Sequence, residues 1–204
     1  NNPDWKPVAI DETSGKVVAP QGTIGFRWGE AGRWNLDPRD GANGNEIKPQ
    51  LTLVGKGQEV VPVGFPYFGG EPHPHFEASP KDRVLVRNLA ARRLTLKDGE
   101  ALVATVYDLM LANYGIDRGL GGANVAASFD DDVPYTPAWQ ERITGLKRAQ
   151  VISVAREFAD NAHKTKGRSM VILGAAVNHW YHGDMIYRGI INLLVMCGCI
   201  GQSG

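Results

Sequence analysis

Between residues 147 and 196 the chain reads as a helix, a short apolar run, a loop rich in polar and aromatic side chains, and a second, apolar helix. No other stretch restricts the fold as much. Helix, strand, loop and helix in that order make an α/β unit, with a right-handed crossover expected. Ala149, Ile152, Ala155, Phe158, Ala159 and Ala162 recur at three- and four-residue spacings. They predict one buried face on a helix over 147–162. Residues 169–173 (Ser-Met-Val-Ile-Leu) read as a strand, and 185–196 as a helix apolar enough to be buried on most sides. Asn178, His179, Trp180, Tyr181, His182 and Asp184 then fall at the carboxyl end of that strand, which is where open α/β sheets bind ligands.

The loop itself is the main candidate site. Two histidines and two large aromatics within five residues suit a half-buried wall around a polar ligand; aromatics packed under neighbouring loops are the structural alternative. Farther on, Gly198 and Gly201 bracket Cys199. Glycines there let backbone N–H groups approach a ligand closely. The spacing is not G-x-G-x-x-G, so a nicotinamide fingerprint is absent.

Upstream the chain is less regular. Residues 1–82 hold 12 of the chain's 25 glycines and 10 of its 12 prolines, leaving short β-like runs at 16–19, 22–28, 51–54 and 59–63. A regular pattern is expected from Arg92. Residues 93–96 alternate, Lys97-Asp98-Gly99 supplies a hairpin turn, and 101–106 return. A helix over 105–113 stops at Gly115, a C′ glycine. Thr136-Pro137 opens another helix as N-cap and N1, interrupted at Gly145. The expected class is α/β, with an irregular Gly/Pro-rich segment over 1–90 and an α/β portion over 91–204.

Composition excludes several partners. Lys plus Arg and Asp plus Glu both number 22, for a formal net charge of +0, so no field draws the chain to nucleic acid or an anionic membrane. The longest apolar run, 189–196, is far shorter than a membrane span; any membrane contact is expected to come through another protein. Cys197 and Cys199 are too close to staple a fold, which favours a reducing compartment.

Other polar clusters have simple readings. His179, His182, Cys197 and Cys199 suggest a tetrahedral zinc site. However, Cys-x-Cys is a poor spacer, and the intervening helix is about 18 Å long at 1.5 Å per residue. Buried structural thiols are the favoured reading. Asp130-Asp131-Asp132 lacks the periodic oxygen ligands of a cation loop. His73 and His75 read as surface residues, and 164–168 as a charged helix exit.

Longer motifs carry a family resemblance. Tyr135-Thr136-Pro137-Ala138-Trp139, Ile143-Thr144-Gly145, residues 155–161 (Ala-Arg-Glu-Phe-Ala-Asp-Asn), the Asn178–His182 run and residues 192–204 with Cys197-Gly198-Cys199-Ile200-Gly201 resemble the catalytic α subunits of membrane-bound respiratory nitrate reductases. Residues 18–22, 25–29, 63–70, 105–109 and 111–115 agree. These enzymes belong to the wider DMSO-reductase family of molybdenum oxidoreductases.

The resemblance implies that 91–204 is part of a molybdopterin-binding domain. It implies a longer parent subunit holding molybdenum on two molybdopterin guanine dinucleotides, with a 4Fe-4S cluster elsewhere in that parent and not on this chain. The parent reduces nitrate to nitrite in anaerobic respiration. Electrons come from quinol through an iron–sulfur β subunit and a haem-bearing membrane γ subunit. The expected location is peripheral, on the cytoplasmic side of the membrane. The family's cluster-ligating motif and its molybdenum-ligating aspartate have no counterpart here, so this stretch alone is expected to be inactive. By position, His179 is the residue expected on the substrate or pterin side. Asn178, His182, Gly198, Cys199 and Gly201 are expected along the cofactor, and Cys197 and Cys199 are not cluster ligands. A non-catalytic module docking partner subunits is one alternative; another molybdoenzyme of the same family is a second.

Overall fold

The structure is a computed structural model that describes residues 8–21, 38–66 and 84–200. The expected strand over 22–28, as well as His73, His75 and Gly201, lie outside the described residues. Helices and strands are mixed, as the α/β reading requires. The chain divides into two compact units, Asn1–Gly145 and Leu146–Gly204.

The first unit is built on a three-stranded antiparallel sheet. β1 (Ala9–Ile10) and β2 (Val17–Val18) form a separate short ladder. β3 (Glu59–Pro66) pairs with the first half of β4 (Val84–Leu96), and β5 (Gly99–Val103) with the second half. The hairpin closes on the Leu96–Gly99 pair, and the one positive φ at this turn falls on Gly99. β4 begins well before Arg92, where the regular pattern was expected to start. Its early half mixes Arg87 and Asn88 with apolar residues, which obscures the alternation. The expected strand over 51–54 does not form; Thr52 and Leu53 instead bond to a side chain on the following helix.

Alternation decides which face of this sheet is buried. Val61, Val63 and Phe65 pair across from Leu89, Arg87 and Leu85. Phe65 and Leu89, with Ala112 from α1 (Val106–Asn113), form the core cluster. Arg87 lies on this same apolar face and is 0% exposed. Among the described residues no carboxylate pairs with it. Its Nε donates to Asn124 O at 2.8 Å and its Nη1 to Asn113 O at 2.7 Å, with the guanidinium 5.7 Å from the Tyr135 ring centroid. Burial pulls its pKa below the ordinary arginine value, only partly countered by Tyr135.

The helix signals hold. Thr105 caps α1 by accepting from Asp108 N, and Gly115 follows with φ +69°. Thr136 caps α2 (Pro137–Thr144) by accepting from Trp139 N, and Gly145 ends it in the left-handed region. Asp131 is engaged within its own loop, accepting from Ala127 N, Ser128 N and Ser128 Oγ. Asp132 pairs with Arg142.

In the second unit, α3 (Arg148–Thr165) ends in a left-handed Lys166, with basic residues in its last turn. The predicted buried face is corrected here. Ala162 is buried, Ile152 and Phe158 are half-buried, and Ala149, Ala155 and Ala159 are exposed. α4 (Gly183–Met196) is corrected likewise, since Gly183 is its buried residue while Ile191, Val195 and Met196 stay exposed. The segment 169–173 is extended but joins no ladder among the described residues. A strand exists by virtue of its neighbour, and none is present among the described residues of this unit. The segment is held to α3 instead, because Ser169 Oγ donates to Phe158 O and accepts from Asn161 Nδ2.

Candidate functional site

The polar-aromatic run forms a compact turn at the start of α4. Ala175–His179 make one 3-10 helix, and Trp180, Tyr181 and His182 lead into the first turn of α4. Asn178 and His179 therefore sit on a short helix, not at the end of a paired strand as expected. Trp180 N donates to Val177 O at 3.3 Å, and Gly183 N donates to Trp180 O at 2.9 Å. His182 adopts φ 59°, ψ 30°, and its carbonyl accepts from Met185 N at 2.9 Å. A non-glycine residue in this region is uncommon and invites a functional explanation.

The side chains of this turn face outward. Trp180 is 61% and Tyr181 79% exposed, so the expected half-buried wall is an open one within this unit. Asn178, His179 and His182 are exposed as well. The Tyr181 and His182 rings lie 4.0 Å apart between centroids, tilted by 52°. The turn thus offers an amide, two imidazoles, a phenol and an indole along one short stretch. Asp184, in the first turn of α4, places a carboxylate at the positive end of that helix.

The distal candidates lie past the end of α4. Gly198 has φ +66°, which its lack of a Cβ permits, and its N–H donates to Val195 O. Cys199 N donates to Leu194 O, and Cys199 Sγ lies 3.6 Å from Cys197 O. Both cysteines are free. Burial, and secondarily Cys199, push the Cys197 thiol up. Among the described residues no three His, Cys, Asp or Glu side chains converge to hold a metal ion. Nor is any described helix long and apolar enough to cross a membrane.

One residue of this site escaped the pattern reading. Gly183 is buried, and a Cβ built on it would collide with Val177 O. Its sequence signal is only a glycine beside an aromatic loop. The close approach that demands it is a tertiary fact.

Comparison with known proteins gives this geometry a family. Residues 127–204 match the molybdopterin oxidoreductase family. The chain is 60% identical to the respiratory nitrate reductase 1 alpha chain of Escherichia coli (strain K12), covering 100% of this chain and 16% of that protein. It is 57% identical to the respiratory nitrate reductase 2 alpha chain of the same strain, with the same coverage. The nitrate reductase alpha chain of Bacillus subtilis (strain 168) is 43% identical over 98% of this chain. The chain thus spans 16% of the length of these relatives.

Proposed function

We propose that the chain, whose residues 127–204 match the molybdopterin oxidoreductase family and which is 60% identical to a respiratory nitrate reductase alpha chain, forms part of the catalytic subunit of a respiratory nitrate reductase, lining one side of the molybdopterin site. The observation that carries this reading is identity sustained along the whole chain at 60%, not a single short motif. The parent subunit acts in a membrane-associated complex, receiving electrons from quinol through an iron–sulfur subunit and a haem-bearing membrane subunit. The cofactor we propose is molybdenum on two molybdopterin guanine dinucleotides.

The residues present fit the pterin rather than the metal. Amide, imidazole and aromatic groups on an exposed turn match a flat heterocycle rich in N–H and C=O groups. A metal would need converging ligands, and none converge among the described residues. When bound, the cofactor would supply the two-electron oxygen-atom transfer that, with two protons taken up, converts nitrate to nitrite and water.

The protein's part is placement and electrostatics. His179 orients the substrate or the adjacent pterin edge through its ring nitrogens. Asn178 and His182 extend the same polar edge. Gly198 and Cys199 bring backbone close to the cofactor at the far end of α4. The reading is tested by changing His179→Ala in the full-length subunit and measuring nitrate reduction and molybdenum content. A fall of about 10²-fold in turnover, the usual scale for a lost positioning or proton-handling group, is expected. Unchanged turnover with unchanged molybdenum would refute the role of His179.

A further inference from the structure

We propose that Gly183 is a positioning residue that seats the Asn178–His179 turn against the first turn of α4. The proposal rests on the cofactor-side reading of that turn and adds the residue that fixes its place.

The contact is made by backbone on both sides. A Cβ on Gly183 would overlap Val177 O, and would lie 3.4 Å from Val177 C and 3.6 Å from Asn178 C. None of these atoms can swing aside by changing rotamer. Val177 O is held from a second direction, because it accepts from Trp180 N, while Gly183 N donates to Trp180 O. The peptide that leads into Asn178 and His179 is therefore clamped between its own turn and the Cα of Gly183.

Conformation does not explain this glycine. Gly183 is helical and is not among the glycines with positive φ, so an alanine could adopt its backbone. Within a helix, alanine is favoured over glycine by about 1 kcal/mol. Close approach is the remaining physical reason for glycine here. Gly189, in the same helix and also without positive φ, has open space within 4 Å of where a Cβ would sit. It serves as a matched control.

A methyl group at 183 must push Val177 O outward by about 1 Å to reach ordinary contact distance. Displacements of that size at a reacting site cost up to about 10²-fold in rate. Two experiments separate the positioning from the chemistry. In the 204-residue chain, G183A should speed amide hydrogen exchange at Trp180 and Gly183 by about tenfold or more, while G189A should not. In the full-length subunit, G183A should lower kcat/KM for nitrate and alter the Mo(V) electron paramagnetic resonance signal of the molybdenum that is loaded. Wild-type exchange in G183A overturns the proposal, as does equal acceleration in G189A. So do wild-type kinetics and spectrum in G183A if H179A is impaired. If G183A loosens the turn but neither G183A nor H179A affects the enzyme, the clamp stands and the cofactor reading fails.

Discussion

His182 allows backbone and side-chain roles to be separated in one position. Its φ of 59° and ψ of 30° place it in the left-handed region, at a cost of about 1–2 kcal/mol for an L-residue. Replacing it with glycine removes that strain but adds unfolded-state entropy of about 0.5–1 kcal/mol. With the lost Tyr181 ring contact included, these terms nearly cancel, so H182G should change stability by less than about 1 kcal/mol. H182A keeps the strain and, like H182G, loses the ring contact with Tyr181. Aromatic pairs are worth about 0.5–1.5 kcal/mol, and exposure of both partners puts this one at the low end. Urea unfolding of the 204-residue chain should therefore rank H182G above H182A by about 1 kcal/mol. Function should not follow that order. If the imidazole bonds to the cofactor, both variants lose one hydrogen bond, about 1.4 kcal/mol, which is roughly tenfold in cofactor retention or kcat/KM. Nitrate turnover and molybdenum content of the full-length subunit read this out. An H182G enzyme with wild-type turnover and loading would show that only the left-handed conformation matters, and His182 would then have no part in holding the cofactor.

The first unit carries two further predictions. Asp108 is 3% exposed and accepts from Thr52 Oγ1, Leu53 N and Arg118 Nη1, so D108N should cost about 2–4 kcal/mol by turning one acceptor into a donor facing Arg118. A urea-unfolding double-mutant cycle with R118M should show coupling of about 1 kcal/mol; zero coupling would mean the pair contributes only through its separate bonds. Asp11 is held down to about 2 by the Ser14 hydroxyl, then by the Lys48 N–H, against an ordinary value of 3.8. Because its folded pKa is the lower one, the stability it supplies is fully present above the ordinary value and is lost as pH falls through about 2. Comparing D11N with the parent chain by unfolding at about pH 5 and near pH 2 should show the difference shrinking as acid is added.

Local signals survived the passage from sequence to structure, and pairing signals did not. Thr105 with Gly115, Thr136 with Pro137 and Gly145, and Asp98-Gly99 each act within one turn of chain. The groups they satisfy are their own neighbours. The period along 147–162 also made a helix, but period states only that a face is apolar, not what covers it. Likewise 169–173 has strand composition, while a strand needs a second strand that no local signal can supply. Arg87 shows the opposite failure. On an alternating strand an arginine reads as solvent-facing, yet it is fully buried because the last carbonyl of α1, a loop carbonyl and the Tyr135 face converge on it. The candidate turn was legible by residue type, whereas its 3-10 geometry, the left-handed His182 and the Gly183 contact depend on how 175–186 folds back on itself.

The exposure of that turn is itself an argument about its use. A Trp or Tyr side chain presents about 150–250 Å², of which Trp180 leaves 61% and Tyr181 79% in water. At about 25 cal/mol per Å², covering either ring is worth roughly 2–4 kcal/mol. Histidines and an asparagine in the same stretch argue against a purely apolar cover, since each would leave polar atoms unpaired. A flat heterocycle edged with hydrogen-bonding groups satisfies both demands, shielding the rings while pairing the imidazoles and the amide. The same reasoning limits the turn. Among the described residues no three ligating side chains converge, so the groups the turn offers are the amide, the imidazoles and the aromatic faces. On the proposed reading, cofactor retention in the full-length subunit should therefore fall stepwise as these side chains are removed one at a time.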